Sequence, residues 1–235
     1  MGQTYNIFNK HDSANNQKLP DKKSSPPSFP KNYPKCKDCQ KNHVSKKFKS
    51  STIMLCENCY LKRKKKMYEQ DILFKGTVQI DEITPKLYLG NNEGAKSKDE
   101  LHKLGITHIL VVGYYLHEYY PEEFKYKTIE IEDNDKEKII NYLLPAIEFI
   151  DRADKCFVHC RAGVSRSSTI VIGYLMLVNK MSYESAREFV GKKRNVIEPN
   201  ENFVQQLQQF GDILNVCNYK YRLIKEFLRT FVVED

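Results

Sequence analysis

The chain has 235 residues, 40% apolar and 29% charged, with a net charge of +8. That balance excludes a collagen-like chain and a wholly disordered one, and the length allows one or two domains. The longest apolar run, Ile170 to Val178, has nine residues, short of the ~20 a membrane span needs. No apolar stretch near the N-terminus resembles a secretory signal, so a cytoplasmic or nuclear protein is expected. Seven cysteines in such a chain point to metal or catalysis before disulfides.

Charge is uneven. Residues 1–75 hold 17 Lys+Arg and 6 Asp+Glu; the rest of the chain holds 21 and 24. The basic third suggests an anionic partner, nucleic acid, a membrane surface or an acidic protein, and is equally compatible with solubility and nuclear targeting.

In chain order, residues 1–35 carry five of the nine prolines and read as a flexible polar tail. Met1-Gly2-Gln3-Thr4-Tyr5-Asn6 partly matches an N-myristoylation start, with Asn6 in place of the preferred Ser or Thr. Acylated Gly2 together with the basic run Lys62–Lys66 would make a two-signal membrane anchor. Residues 36–70 hold a compact module and basic linker. Cys36-x2-Cys39 and Cys56-x2-Cys59 stand sixteen residues apart, the spacing of a closed tetrahedral zinc site in which metal would supply the folding energy. His43 is an alternative ligand. Four unrelated thiols are the bland alternative.

From residue 77 the pattern becomes α/β. Val78-Gln79-Ile80 and Leu87-Tyr88-Leu89 read as strands around Pro85. Asp99 to Leu104 reads as a helix closed by Gly105. Thr107 to Val112 and Tyr126 to Ile131 read as strands. Ile139 to Ile150 has a helical period, with Pro145 predicting a kink or a later start. Cys156-Phe157-Val158 is a strand, followed by a long apolar helix over about 166–179. Ser182 and Asn200 cap two further helices. A last amphipathic helix runs from about Tyr219 to Phe231. The expected architecture is a central mixed sheet flanked by helices over 77–217, with a C-terminal helix over 218–235.

The chemistry concentrates in His159-Cys160-Arg161-Ala162-Gly163-Val164-Ser165-Arg166-Ser167, between a predicted strand and a predicted helix. Unpaired N–H groups and the helix dipole make such a loop an anion cradle. Arg161, Ala162, Gly163, Val164, Ser165 and Arg166 would line it. Gly163 lets the backbone fold tightly, and the Arg166 fork holds two phosphate oxygens at once. The same field should lower the Cys160 pKa from ~8.5 and make it a nucleophile toward phosphorus. A carboxylic acid must then protonate the leaving oxygen. Asp133 opens a loop at a strand end and suits the task, with Asp135 and Glu132 as competitors. Ser167 could hydrogen-bond the sulfur, and His159 would orient the loop. Cys156, four residues upstream, is a candidate resolving thiol for oxidised Cys160, or simply a buried strand residue.

His-Cys-x5-Arg-Ser at 159–167 resembles the signature of cysteine-dependent protein phosphatases. The Ala162–Ser167 wording is similar to the dual-specificity branch, in particular its MAP-kinase-phosphatase-like members. Leu87-Tyr88-Leu89-Gly90, Leu104 to Leu110, Tyr174-Leu175-Met176 and Ile197-Glu198-Pro199-Asn200 match as well. The resemblance covers roughly 77–215. It implies hydrolysis of phosphotyrosine and phosphoserine/threonine on proteins, with Cys160 as nucleophile, Arg166 as phosphate ligand, Asp133 as acid, Ser167 as loop hydroxyl and no metal in the chemistry. The chain has no Trp, so the Trp-Pro-Asp loop of tyrosine-specific relatives is absent. Arg161 keeps a lipid or other anionic substrate open. Two other classes remain: a phosphoprotein-binding scaffold with little turnover, and an RNA 5′-phosphatase or zinc-directed RNA-associated protein.

Overall fold

The computed structural model describes residues 76–231, together with Asn58, Cys59 and Lys62. Five strands form one sheet: β1 (Ile80–Thr84), β2 (Leu87–Gly90), β3 (His108–Val112), β4 (Lys125–Ile129) and β5 (Cys156–His159), in the order β1-β2-β5-β3-β4. The β1–β2 pair is an antiparallel hairpin, and all other neighbours are parallel. The last strand in sequence, β5, is therefore the central one, and every residue of it is buried. Parallel neighbours on both sides and cover on both faces explain its unbroken apolar text.

Helices cover the two faces unequally. Short α1 (Asn92–Lys96) and α2 (Lys98–Lys103) lie with Phe124 and Phe157 in the smaller core. The larger core collects α3 (Ile140–Asp151), α4 (Arg166–Val178), α5 (Tyr183–Lys193), α6 (Glu201–Val216) and α7 (Tyr221–Phe231). Ser167 to Met176 of α4 are all buried. A helix apolar on every side belongs in the middle of a layer, and α4 packs against α3, α5 and α6. Ile224 and Leu228 bring α7 into this same core.

The mixed sheet flanked by helices agrees with the sequence reading, and the differences have local causes. The first strand lies at Ile80–Thr84, with Val78 exposed before it. Its polar Asp81, Glu82 and Thr84 sit on an edge strand where only Ile83 is fully buried. Helix α3 starts at Ile140 and continues through Pro145, which is exposed, so the later start does not occur. Helix α7 begins at Tyr221, because Asn218 and Tyr219 adopt positive φ and break the chain direction after α6. Ser182 and Asn200 cap α5 and α6 as expected, accepting from Ser185 N and Phe203 N. The 36–70 module, the tail over 1–35, Gly2 and the Lys62–Lys66 run lie outside the described residues, apart from exposed Asn58, half-buried Cys59 and exposed Lys62. No described helix is long and apolar enough to cross a membrane.

Candidate active site

At its carboxyl end, central β5 runs straight into the 159–166 loop and then into α4. That is where ligands bind in open α/β sheets, at a point where connections leave in opposite directions. The loop closes around the Cys160 sulfur, which accepts from Gly163 N at 3.2 Å and from Ser167 Oγ at 3.1 Å. Cys160 is 2% exposed. Burial alone would push its thiol up, but the Arg166 charge, the Ser167 hydroxyl and the Ser167 and Gly163 amides together outweigh it and hold the thiol below its ordinary value.

The loop holds its shape because its carbonyls are tied outward. Arg161 O accepts from Asn92 N, Val164 O from Glu198 N, and Ser165 O from Ser168 Oγ and Thr169. Ala162 O and Gly163 O accept from Arg194 Nη2 and Nε at 3.1 and 2.8 Å. With the carbonyls fixed outward, the Gly163 N–H points inward at the sulfur, the kind of arrangement that binds anions. Gly163 has φ +69°, and a Cβ there would stand 2.4 Å from Gly90 O, so only glycine fits. Gly113 makes room for the arginine in the same manner: with φ +152°, its Cβ would lie 2.6 Å from Arg166 Nη1.

Arg166 donates to Ile131 O at 3.4 Å, and its Nε lies 3.6 Å from Asp133 Oδ2. Among the described residues that buried Nε has no hydrogen-bond partner, so it is a donor of the fork suited to an incoming oxyanion. Asp133 stands on the loop after β4. Its Oδ1 accepts from Ser165 Oγ and Asn200 Nδ2, both at 2.7 Å. Of the competing acids, Glu132 is engaged by Asn134 Nδ2, and Asp135 is exposed like Asp133; what marks Asp133 out is its contact with Ser165 and Arg166. His159 is fully buried, stacked on Phe157 and bonded through Nδ1 to the Cys160 carbonyl. Burial pushes its pKa down to about 4, so the ring is neutral at working pH.

Cys160, Arg166, Asp133, Ser167 and His159 thus stand around one loop, with Arg161 to Ser165 forming its wall. Cys156 does not join them. Four residues of extended chain separate its Cα from that of Cys160 by ~13 Å, against a disulfide limit of about 7 Å, and burial pushes its thiol up. Cys156 is thus a buried strand residue and not a partner for oxidised Cys160. Sequence reasoning missed Arg194, which is 3% exposed and also reaches Asp81 Oδ2 (2.5 Å) and Gln79 Oε1 (2.8 Å). It follows exposed Lys192 and Lys193, so it reads as the third member of a solvated basic run.

A buried thiol held low in an arginine-braced loop between strand and helix defines the class of cysteine-dependent phosphatases. The family description "Dual specificity phosphatase, catalytic domain" matches residues 87–213, and the chain belongs to that family. It is 44% identical over 133 residues to dual specificity protein phosphatase 1-B of Xenopus laevis, covering 55% of this chain and 36% of that protein. With dual specificity protein phosphatase 4 of Gallus gallus the identity is 43% over the same coverage. The chain thus spans about a third of the length of these curated relatives. Among solved structures, the human tyrosine phosphatase-like serine/threonine/tyrosine-interacting protein is similar with a TM-score of 0.57 and 35% identity, covering 59% of this chain and 99% of that one. DUSP15 is similar with a TM-score of 0.54 and 30% identity, covering 66% and 97%.

Replacing Arg194 by Met leaves two loop carbonyls unpaired in a buried place. We expect a stability loss of about 1–3 kcal/mol by denaturant titration and vanadate binding weaker by about tenfold. Unchanged vanadate affinity would show that the loop holds its shape without this brace.

Proposed function

We propose that the protein hydrolyses phosphotyrosine and phosphoserine/threonine on protein substrates through a cysteinyl-phosphate intermediate. The observation that carries this reading is the Cys160 sulfur, buried yet held below its ordinary pKa by Arg166, Ser167 and two loop amides. A thiolate in an anion cradle is a nucleophile placed beside the phosphorus it attacks. Arg166 and the N–H groups of residues 161–166 hold the equatorial oxygens. The Cys160 S–P bond forms as the P–O bond to the leaving group breaks. The electron pair departs on that oxygen, which takes a proton from Asp133. Water then attacks phosphorus, its proton passes to Asp133, and the S–P bond breaks to return the thiolate, whose charge Ser167 and Gly163 stabilise. His159, neutral and buried, keeps the Cys160 carbonyl in place. No metal enters these steps.

A phosphoprotein-binding scaffold would use the same cradle without turnover, and a triphosphate-ended RNA would compete with phosphopeptide for it; one panel separates the three. Cys160→Ser should abolish phosphate release from phosphotyrosine and phosphothreonine peptides. Asp133→Ala should lose about 10²-fold on these poor leaving groups and much less on activated aryl phosphates. Absence of turnover by the wild-type chain on every peptide and aryl phosphate contradicts the enzyme reading, and preferential release from RNA ends shifts the substrate.

We further propose that Cys36, Cys39, Cys56 and Cys59 hold one structural zinc, on their spacing in the sequence, and that the surrounding basic residues meet an anionic partner, nucleic acid or a membrane surface. Elemental analysis of the full chain should give one zinc per molecule, released by a mercurial and lost in Cys36→Ser/Cys39→Ser. Protein with no zinc and undiminished phosphatase activity contradicts the module.

A further inference from the structure

The acid loop, residues 133–139, is held by a row of side-chain amides on the first turns of α6. Asn200, at the N-cap, donates through Nδ2 to Asp133 Oδ1 at 2.7 Å, and its backbone N–H donates to Ser165 Oγ at 3.1 Å. Asn202 Nδ2 donates to the carbonyls of Asn134 (3.3 Å) and Glu137 (2.9 Å). Gln206, one turn on and nearly buried, donates to Glu137 O and to Asn202 Oδ1, both at 2.9 Å. Its Oε1 accepts from Ile140 N at 3.0 Å, the start of α3, where Ile139 supplies no side-chain cap. Residues 202 and 206 lie four apart, so they share one helix face. Phe203, fully buried between them, roots that face in the main core.

Both ends of the loop are therefore fastened to one rigid helix: the acid itself at one end, and the first turn of α3 at the other. Within the loop, Asn134 Oδ1 accepts from Lys136 N and so stiffens the turn that the clamp grips. A loop pinned to α6 through three backbone groups, Asn134 O, Glu137 O and Ile140 N, differs from a lid that must close on each substrate.

We propose that Asn202 and Gln206 are positioning residues that hold the Asp133 loop in its catalytic place before substrate arrives, so that the acid is fixed by α6 and not delivered by loop closure. The proposal rests on the reading of Asp133 as the acid. Neither Asn202 nor Gln206 touches the sulfur or the arginine, so their effect should appear only where protonation of the leaving group limits the rate.

The test measures kcat and KM of the full chain on a phosphotyrosine peptide and on an activated aryl phosphate, for Asn202→Ala, Gln206→Ala, Asp133→Ala and the two doubles with Asp133→Ala. Each clamp variant should lose about tenfold in kcat on the peptide, with KM unchanged, and stay within about twofold on the aryl phosphate. In the Asp133→Ala background the same substitutions should cost nothing more. Should Gln206→Ala fail to fold, the more exposed Asn202→Ala decides alone. Equal losses on both substrates, or losses that add to that of Asp133→Ala, would mark the amides as merely structural and overturn the proposal. If Asp133→Ala itself shows no dependence on leaving group, the acid assignment fails and the clamp proposal falls with it.

Discussion

Everything at this site depends on keeping a negative charge on a sulfur that is almost out of contact with water. Burial alone favours the neutral thiol. Four features oppose it: the Arg166 charge, the Ser167 hydroxyl, and the amides of Ser167 and Gly163. In a low-dielectric place each of these acts more strongly than it would in water. Together they outweigh burial, with the Arg166 charge the largest of the four, and the loop's place at the entrance of α4 is one where a helix end favours an anion.

The rest of the fold supplies rigidity to that arrangement. Central β5 is buried on both faces and delivers Cys160 at its end. The carbonyls of Arg161 to Ser165 are tied outward by Asn92, Arg194, Glu198 and the hydroxyls of α4, so the peptide planes cannot turn over. Asn200 joins three parts at once: it caps α6, donates to Asp133, and donates from its backbone to Ser165. Cys160, Asp133 and α6 are thereby set in one frame, the preorganisation the proposed reaction requires.

How much of this the sequence reveals follows from the range of each interaction. The Cys160–Ser167 loop is contiguous, and its flanking strand and helix announce themselves by composition, so the nucleophile and the arginine are legible as letters. The parallel core strands are apolar runs and equally plain. Edge strand β1 is half polar, starts two residues later than expected and ends four later. Arg194 braces a loop 31 positions away, and Gln206 reaches Ile140 across 66. Neither carries a local mark, since a basic residue at a helix end and an amide on a helix face usually meet solvent. The spacing of Cys156 and Cys160 fits either a redox pair or a buried strand residue, and the extended geometry of a strand keeps the two thiols apart.

Titration of the Cys160 thiol reads directly the ionisation on which this site depends. Its ultraviolet thiolate absorbance, or the rate of its alkylation, followed against pH in the wild type and in Arg166→Met, gives the ionisation without any assumed substrate. The wild-type midpoint should lie below the ~8.5 of a free thiol and rise once the guanidinium is gone. A wild-type midpoint at or above the free-thiol value, or one indifferent to loss of Arg166, would contradict a thiolate held by this loop.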